Sequence, residues 1–185
     1  DPWVTIPTFT GTNNAYDIDW DYLGNIYVYG GEFPYQLIKL NSSGVIQWTF
    51  STPSVFIQDM YGDFAVDRNT GISYIAEGGV GSPGAHIVKV GAAGNQLVLF
   101  PGNVNADEFT RIALNSCTGK GVIGLGNTSA SYQAATFDTT LASITPVNVL
   151  STSEAYHDIA LLTLDDTNCY IATSISLQFI PNFNN

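Results

Sequence analysis

Three aspartates at alternate positions form the stretch of this sequence that most resembles a metal site. Asp17, Asp19 and Asp21 precede a glycine, which is how a calcium-binding loop begins. Calcium takes about six to eight oxygen ligands, and an EF-hand loop therefore has a glycine at its sixth position and a glutamate at its twelfth. Counted from Asp17, these two positions hold Tyr22 and Val28. The spacing excludes an EF-hand loop, so the role of the aspartates depends on the elements that carry them.

The aspartates belong to a pattern that recurs along the chain. Each copy has a short run of alternating apolar residues, a polar turn and a second alternating run, which predicts two antiparallel strands. Tyr27, Tyr74, Val122 and Tyr170 occupy equivalent places, separated by 47, 48 and 48 residues. This near-constant spacing indicates a structural repeat. Its copies lie at 16–31, 62–79, 109–126 and 156–174.

A second pair of strands follows the first in each unit. The segment YQLIKLNSSGVIQWTF (35–50) matches AHIVKVGAAGNQLVLF (85–100), with Lys39 over Lys89. The small residues in the middle of both segments are the hairpin signal expected between short antiparallel strands. A looser third copy occupies 132–150. Each full unit is therefore predicted to contain four strands, and no stretch has the sustained periodicity of a helix.

Units of about 47 residues with four strands are typical of β-propeller blades. A β-sandwich also has many short strands, but it does not predict that the four-strand pattern repeats. We therefore predict an all-β chain whose residues 1–185 form a single β-propeller unit or fragment. The blade-like repeats are 15–50, 62–100, 109–150 and 156–180.

The fourth repeat ends after its third strand, and residues 3–9 are placed to supply the missing one. This N-terminal strand either closes a small ring, or the chain is about four blades of a larger propeller. We favour the larger propeller, because rings of about six to eight blades are common. The single methionine, Met60, also indicates that the chain is a fragment or a processed product.

Composition limits the partners of the protein. With 16 acidic and 5 basic residues, the formal net charge is −11. Binding to nucleic acid requires several cations that contact phosphates, so neither nucleic acid nor an anionic membrane is an expected partner. No apolar run approaches the roughly 18 to 20 residues needed to span a bilayer, so no membrane insertion is expected. At 45% hydrophobic residues, the chain can still bury a sizeable core.

The two cysteines occupy nearly equivalent places on neighbouring repeats. Cys117 lies in the first turn of the third unit, and Cys169 begins the second strand of the fourth. Few lysines and many Thr, Ser, Asn and Gly residues are typical of an exported protein, in which a pair of thiols usually oxidises. We therefore predict a disulfide between Cys117 and Cys169 that joins two blades.

Some of these segments resemble a known group of proteins. DYLGNIYVYG followed by LIKLNSSGVIQW is similar to the repeats of bacterial propellers that carry a GN-I/V-Y-V strand and a KLNSSG hairpin. Together with GDFAVDRNTGISYIAEGG and NSCTGKGVIGLG, they resemble the propeller portion of large Bacteroidetes surface proteins associated with gliding motility and type IX secretion. The resemblance implies that the protein is secreted or displayed on the bacterial cell surface.

The repeat assigns different roles to the aspartates. Asp21 aligns with Asp67 just before a turn, where a short side chain that caps its own turn is favoured. Asp17 aligns with Asp63, Thr110 and Asp158 at the start of the innermost strands, so the aspartates Asp17, Asp63 and Asp158 are expected near one mouth of the propeller channel. Either these three side chains bond to backbone amides of neighbouring blades, or they form an acidic ring that holds a divalent cation.

No arrangement of residues in the sequence predicts an enzyme. There is no Gly-x-Ser-x-Gly, Walker loop or Cys-x-x-Cys, and His86 and His157 lack the spacing of metal ligands. We therefore expect a non-catalytic extracellular binding or adhesion module without a cofactor, whose loops contact a protein or a glycan. The predicted contact residues are Phe33, Tyr35, Phe56 and Tyr61, with Trp20 and Trp48 packed between blades.

Two other functions remain open. The first is a metal-dependent propeller hydrolase or lactonase, with a divalent cation held at the channel mouth by Asp17, Asp63 and Asp158. The second is a structural subunit of a cell-envelope secretion or motility machine.

Overall fold

The computed structural model shows an all-β protein, as predicted. In the part of the chain that it describes, every regular element is a β-strand and there is no helix. The described residues are 8–9, 11, 14–32, 34–53, 62–78, 86–101, 108–126, 133–147, 160–162, 169–172 and 177–180.

The strands form separate antiparallel sheets that follow one another along the chain. The first sheet contains β1 (Ala15–Trp20), β2 (Ile26–Gly30), β3 (Gln36–Leu40) and β4 (Ile46–Ser51). The second contains β5 (Asp63–Asp67), β6 (Ile72–Glu77), β7 (His86–Val90) and β8 (Gln96–Pro101). The third contains β9 (Glu108–Asn115), β10 (Lys120–Gly126), β11 (Gln133–Asp138) and β12 (Ile144–Val147). The fourth contains β13 (Ala160–Leu162), β14 (Cys169–Ala172) and β15 (Leu177–Ile180).

Each sheet is a meander in which neighbouring strands in sequence are neighbours in space. The first three sheets have four strands each, so the four-strand unit inferred from the repeat is confirmed in them. The predicted hairpins are also present: Gly44 and Gly94 adopt positive φ angles of 78° and 84° in the turns before β4 and β8. Glycine is favoured there because it enters this region without steric cost.

The first three sheets lie face to face, and the first strands of successive sheets are adjacent. We call these first strands, β1, β5, β9 and β13, the inner strands. Between the first and second sheets, Tyr27 and Leu37 pack with Ile75 and Val88 in one apolar core. Both faces of the second sheet are therefore covered, because a second core lies on its other side. That core includes Tyr74, Ile87, Ile112, Ile123 and Phe137.

The face of the first sheet that points away from the second sheet carries an apolar cluster of its own. Phe9 is buried there against Val28, Ile38 and Leu40. Phe9 is also the last residue of the predicted closing strand 3–9, most of which lies outside the described residues. Phe9 thus packs on the outward face of the first sheet.

The turn glycines provide a test of how the sheets fit together. A Cβ at Gly94 would lie 2.7 Å from Cγ of Trp48 in the first sheet, whereas a Cβ at Gly24 would meet only Ser42 Cβ, at 3.4 Å. Both glycines have positive φ, so alanine costs about 1–2 kcal/mol of backbone strain at either site. We expect Gly94→Ala to lower the free energy of unfolding by a further 1–3 kcal/mol or so, since it also overpacks the interface between sheets.

Urea denaturation of both variants measures this difference, with Gly24→Ala as the matched control. Equal losses of stability in the two variants would show that Trp48 does not pack tightly on the second sheet.

Candidate functional site

The inner strands β1, β5 and β9 line an open groove of about 530 Å³, which we call the inner groove. Each of these strands is at the edge of its own sheet. Alternate residues of an edge strand direct their N–H and C=O groups away from the paired strand. Unbound edge N–H groups would be a template for pairing with another chain. The partners of these N–H groups therefore determine what the groove offers to a ligand.

Aspartate side chains bind the edge N–H groups. In β1, the amides of Ile18 and Trp20 donate to the carboxylates of Asp17 and Asp19, each at 2.8 Å. Asp19 also reaches the next sheet, where its Oδ2 accepts a hydrogen bond of 3.0 Å from the amide of Val66. One carboxylate thus caps its own strand and joins the first sheet to the second.

Asp63 makes the same kind of link one sheet further along. Its buried carboxylate accepts a hydrogen bond of 2.9 Å from the amide of Ile112 in β9. Of the two roles that the sequence left open for these aspartates, Asp63 shows the hydrogen bond to an amide of the neighbouring sheet. Asp63 therefore holds the edge of the third sheet as Asp19 holds the edge of the second.

Asp17 of the first sheet lies near Asp63, which brings two carboxyl groups of different sheets together. The pKa of Asp63 is raised to about 7, chiefly by burial and to a smaller extent by the neighbouring Asp17. The amide of Ile112 and the charge of Arg111 act in the opposite direction. The charge of Asp63, and with it this contact between sheets, therefore depends on pH.

The other sheets do not continue this carboxyl pair. Strand pairing places Arg111 in β9 and Ala160 in β13 at the positions equivalent to Asp17 and Asp63. Asp158, which the sequence aligned with this position, lies outside the described residues. Among the residues that are described, no group of three or more His, Cys, Asp or Glu side chains is arranged to hold a metal ion.

Asp21 caps its own turn, as the repeat predicted. Its Oδ1 accepts hydrogen bonds of 3.0 Å from the amides of Leu23 and Asn25, and its Oδ2 accepts one of 2.9 Å from the hydroxyl of Tyr27. Burial alone would raise the pKa of Asp21, but the hydrogen bonds from Asn25 and Tyr27 hold it below the usual value. In the second sheet, Asp67 caps the equivalent turn.

The two recurrent lysines also join sheets. Lys39 Nζ donates to the carbonyl of Ala92 at 3.4 Å, and Trp48 Nε1 donates to the same oxygen at 2.9 Å. Lys89 Nζ donates to the carbonyl of Thr139 in the third sheet at 2.6 Å. Each lysine therefore contacts the turn between the third and fourth strands of the next sheet. The prediction that Trp48 packs between sheets is confirmed by its bond to Ala92.

Tyr29, Glu77 and His86 form a buried polar cluster that was not identified from the sequence. Tyr29 donates to Glu77 Oε1 at 2.7 Å, and His86 Nε2 lies 3.2 Å from Glu77 Oε2. Burial and then the charge of Glu77 raise the pKa of Tyr29. Glu77 and His86 lie directly opposite each other on β6 and β7. The pairing of these two strands was the signal from which this contact could have been predicted.

The structure describes only one of the four predicted contact residues, Tyr35. Tyr35 is half-buried in an aromatic cluster, with its ring centroid 6.0 Å from that of Tyr16 and 5.8 Å from that of Tyr29. Part of the Tyr35 side chain therefore packs within the first sheet. The other three predicted contacts lie outside the described residues: Phe33, Phe56 and Tyr61.

The predicted disulfide is not formed. Cys117 is a free, exposed thiol in the turn between β9 and β10, while the side chain of Cys169 lies outside the described residues. Sheets that pack face to face are about 10 Å apart, whereas a disulfide usually joins Cα atoms that are less than about 7 Å apart. Equivalent places on neighbouring repeats therefore do not bring two sulfurs into bonding distance.

Trp20 is exposed rather than packed between sheets, contrary to prediction. About half of its surface, 51%, is accessible at the end of β1. The guanidinium carbon of Arg68 lies 4.1 Å from the ring centroid, and Arg68 Nη2 is 3.2 Å from Asp19 Oδ1. Arg68 is thereby fixed by a carboxylate and an indole ring on the wall of the inner groove.

No protein-family model matches this sequence, and no curated protein matches it. Within the described part of the chain, we find no helix with the length and apolar character needed to cross a membrane.

The carboxyl pair predicts that stability decreases as pH rises. Asp63 has a pKa of about 7 in the folded protein against 3.8 ordinarily, so the folded state binds more protons than the unfolded state between about pH 4 and 7. The free energy of unfolding should decrease across this window by up to roughly 4 kcal/mol. Asp63→Asn should remove most of this slope, because the side-chain amide can still accept the hydrogen bond from Ile112 but does not titrate.

Urea denaturation from pH 5 to 8 measures the slope. Asp63→Ala is the matched variant, since it leaves the amide of Ile112 without its acceptor and should cost about 1–3 kcal/mol at every pH. A slope that persists in Asp63→Asn would show that other groups cause the pH dependence.

Proposed function

We infer that this chain is part of a β-propeller that acts as a non-catalytic extracellular binding module. Three successive four-stranded meanders lie face to face with their inner strands adjacent, and the fourth sheet follows the same strand order. Adjacent blades of a propeller have this arrangement. The period of 47 or 48 residues supports the same fold, and the chain then supplies about four blades of a larger ring.

The proposal of a binding function is supported by the contacts of the charged side chains, which link neighbouring sheets. Asp19 and Asp63 accept backbone amides of the next sheet, and Lys39 and Lys89 donate to its carbonyls. These groups hold the sheets together and are unavailable as nucleophiles or general bases. The exposed surfaces of the groove and of the connecting loops are left to contact a ligand.

The expected ligands are extracellular proteins or glycans. The chain has 16 acidic and 5 basic residues, which opposes binding to nucleic acid. Its resemblance to Bacteroidetes surface propellers supports secretion or display at the cell surface. Rigid sheets would present the loops that carry Phe33, Tyr35, Phe56 and Tyr61.

A metal-dependent hydrolase is the second candidate, and the pair of Asp17 and Asp63 favours it. Two neighbouring carboxyl groups, one of which has a raised pKa, are the kind of pair that enzymes use as acid and base. In this alternative, Asp158 would complete a divalent cation site with the pair. The hydrogen bond that Asp63 accepts from the amide of Ile112 makes the scaffold role the stronger of the two.

Binding and hydrolysis assays distinguish the two candidates. We expect the purified chain to bind immobilised extracellular glycans or envelope proteins equally well with EDTA or with calcium, and to hydrolyse no lactone. Its melting temperature should be unchanged by calcium, magnesium or zinc, because a ligand that binds the folded state would raise it.

Metal-dependent lactone hydrolysis that is lost in Asp17→Asn would contradict the binding function and establish the hydrolase. Absence of binding to every glycan and protein tested would also contradict it.

A further inference from the structure

We propose that a second copy of this chain covers the outward face of the first sheet with its fourth sheet, so that two chains close one ring. The proposal rests on the propeller proposed above and names the partner that completes it. Ile18 lies directly opposite Val28 on β1 and β2, and Trp20 follows two residues later. Side chains at such positions share one face of a sheet. The outward face is therefore apolar across three strands, because Val28 packs there with Ile38 and Leu40.

The matching face of the second sheet shows how such a face is covered. Strand pairing places Phe64 and Val66 at the positions equivalent to Ile18 and Trp20. Phe64 and Val66 are 3% and 2% exposed in the core under the first sheet, whereas Ile18 and Trp20 are 61% and 51% exposed. A contiguous apolar face that remains exposed marks a surface of interaction. The outward face thus has the composition of a face that packs on another sheet.

Phe9 indicates which sheet fits there. Phe50, near the end of β4, packs against the core between the first and second sheets, and Phe100, near the end of β8, packs against the next core. Each fourth strand thus supplies a phenylalanine to the core shared with the following sheet. Phe9 takes the corresponding place on the outward face. The covering sheet therefore needs no fourth strand of its own, since residues 3–9 are predicted to supply one.

The fourth sheet meets this condition. In the part of the chain that the structure describes, it contains three strands, whereas the other sheets contain four. The strand that it lacks is the one that the sequence assigns to residues 3–9. A fourth sheet and the N-terminal part of a chain are therefore complementary in their number of strands.

The hydrogen bonds of β1 differ from those of the other inner strands. The amides of Val66 and Ile112 are bound by aspartates of the preceding sheet. At the equivalent positions of β1, the amides of Ile18 and Trp20 are bound by aspartates of β1 itself. The edge of β1 therefore needs no carboxylate from the sheet that covers it.

The inner strand of the fourth sheet offers no such carboxylate. Strand pairing places Ala160 and Leu162 of β13 at the positions equivalent to Asp17 and Asp19. A carboxylate that was buried in the contact without a partner would be costly. The edge of β1 and the inner strand of a fourth sheet thus match in their polar groups as well.

The fourth sheet that covers the first comes from a second copy. Within one chain Ile18 and Trp20 are exposed, so the chain's own fourth sheet does not cover them. In a pair of copies, each fourth sheet covers the first sheet of the other copy, which gives two identical contacts related by a two-fold axis. Head-to-tail contacts that close in this way form a ring. The inner groove of each copy then forms half of one channel.

Light scattering coupled to size-exclusion chromatography measures the mass of the purified chain. We expect the mass of two chains, and a melting temperature that rises with protein concentration. Ile18→Glu places a charge in the apolar face and should weaken association by about tenfold or more. Leu97→Glu introduces the same charge at a 46% exposed side chain of β8, outside this face, and should remain dimeric.

Photo-cross-linking identifies the occupant and does not depend on the folding of Ile18→Glu. Ile18 is replaced by benzoylphenylalanine, and isotopically labelled and unlabelled chains are mixed before irradiation. Mass spectrometry then separates cross-links between copies from cross-links within a copy. We expect cross-links between copies, to peptides within residues 160–180.

Three results would overturn the inference. A monomeric wild-type chain would show that no second copy covers the face. Cross-links to residues 160–180 of the same copy would show that one chain closes on itself. Cross-links between copies to residues 14–51 would show that two first sheets pack on each other. None of these results contradicts the binding function, which the ligand assays test separately.

Discussion

The fold depends on how the open edges of the inner strands are satisfied. An edge strand has N–H groups that no strand of its own sheet can bind, and stacked sheets place several such edges side by side. Here the partner is an aspartate of the preceding inner strand: Asp19 binds the amide of Val66, and Asp63 binds the amide of Ile112. These bonds fix the height of each sheet against the next. They also use the carboxylates that would otherwise suggest a metal site.

A second set of hydrogen bonds, made by lysines, links the first sheet to the second and the second to the third. The third sheet has no equivalent lysine. Lys39 and Lys89 reach carbonyl groups of the following sheet across the rings of Tyr27 and Tyr74. In the third sheet, Val122 pairs with Thr136 at this position, so neither the ring nor the ammonium group is present. Arg111 likewise replaces the inner aspartate there. The junction after the third sheet therefore uses different contacts from the first two.

Several charged side chains of the described residues link one sheet to the next. The inner groove combines bound edge amides with one exposed indole ring. The carboxyl pair of Asp17 and Asp63 is the exception among these contacts, because the raised pKa of Asp63 makes this contact between sheets sensitive to pH.

The sequence alone determined the all-β class, the four-strand unit and the capping role of Asp21, because these follow from local alternation, spacing and turn chemistry. Tertiary structure alone decided which groups meet. The exposure of Trp20, the link of Glu77 to His86 and the free thiol of Cys117 depend on distances between sheets, which the period of a repeat does not contain. The repeat shows which residues are equivalent, whereas the packing of the sheets determines which of them are in contact.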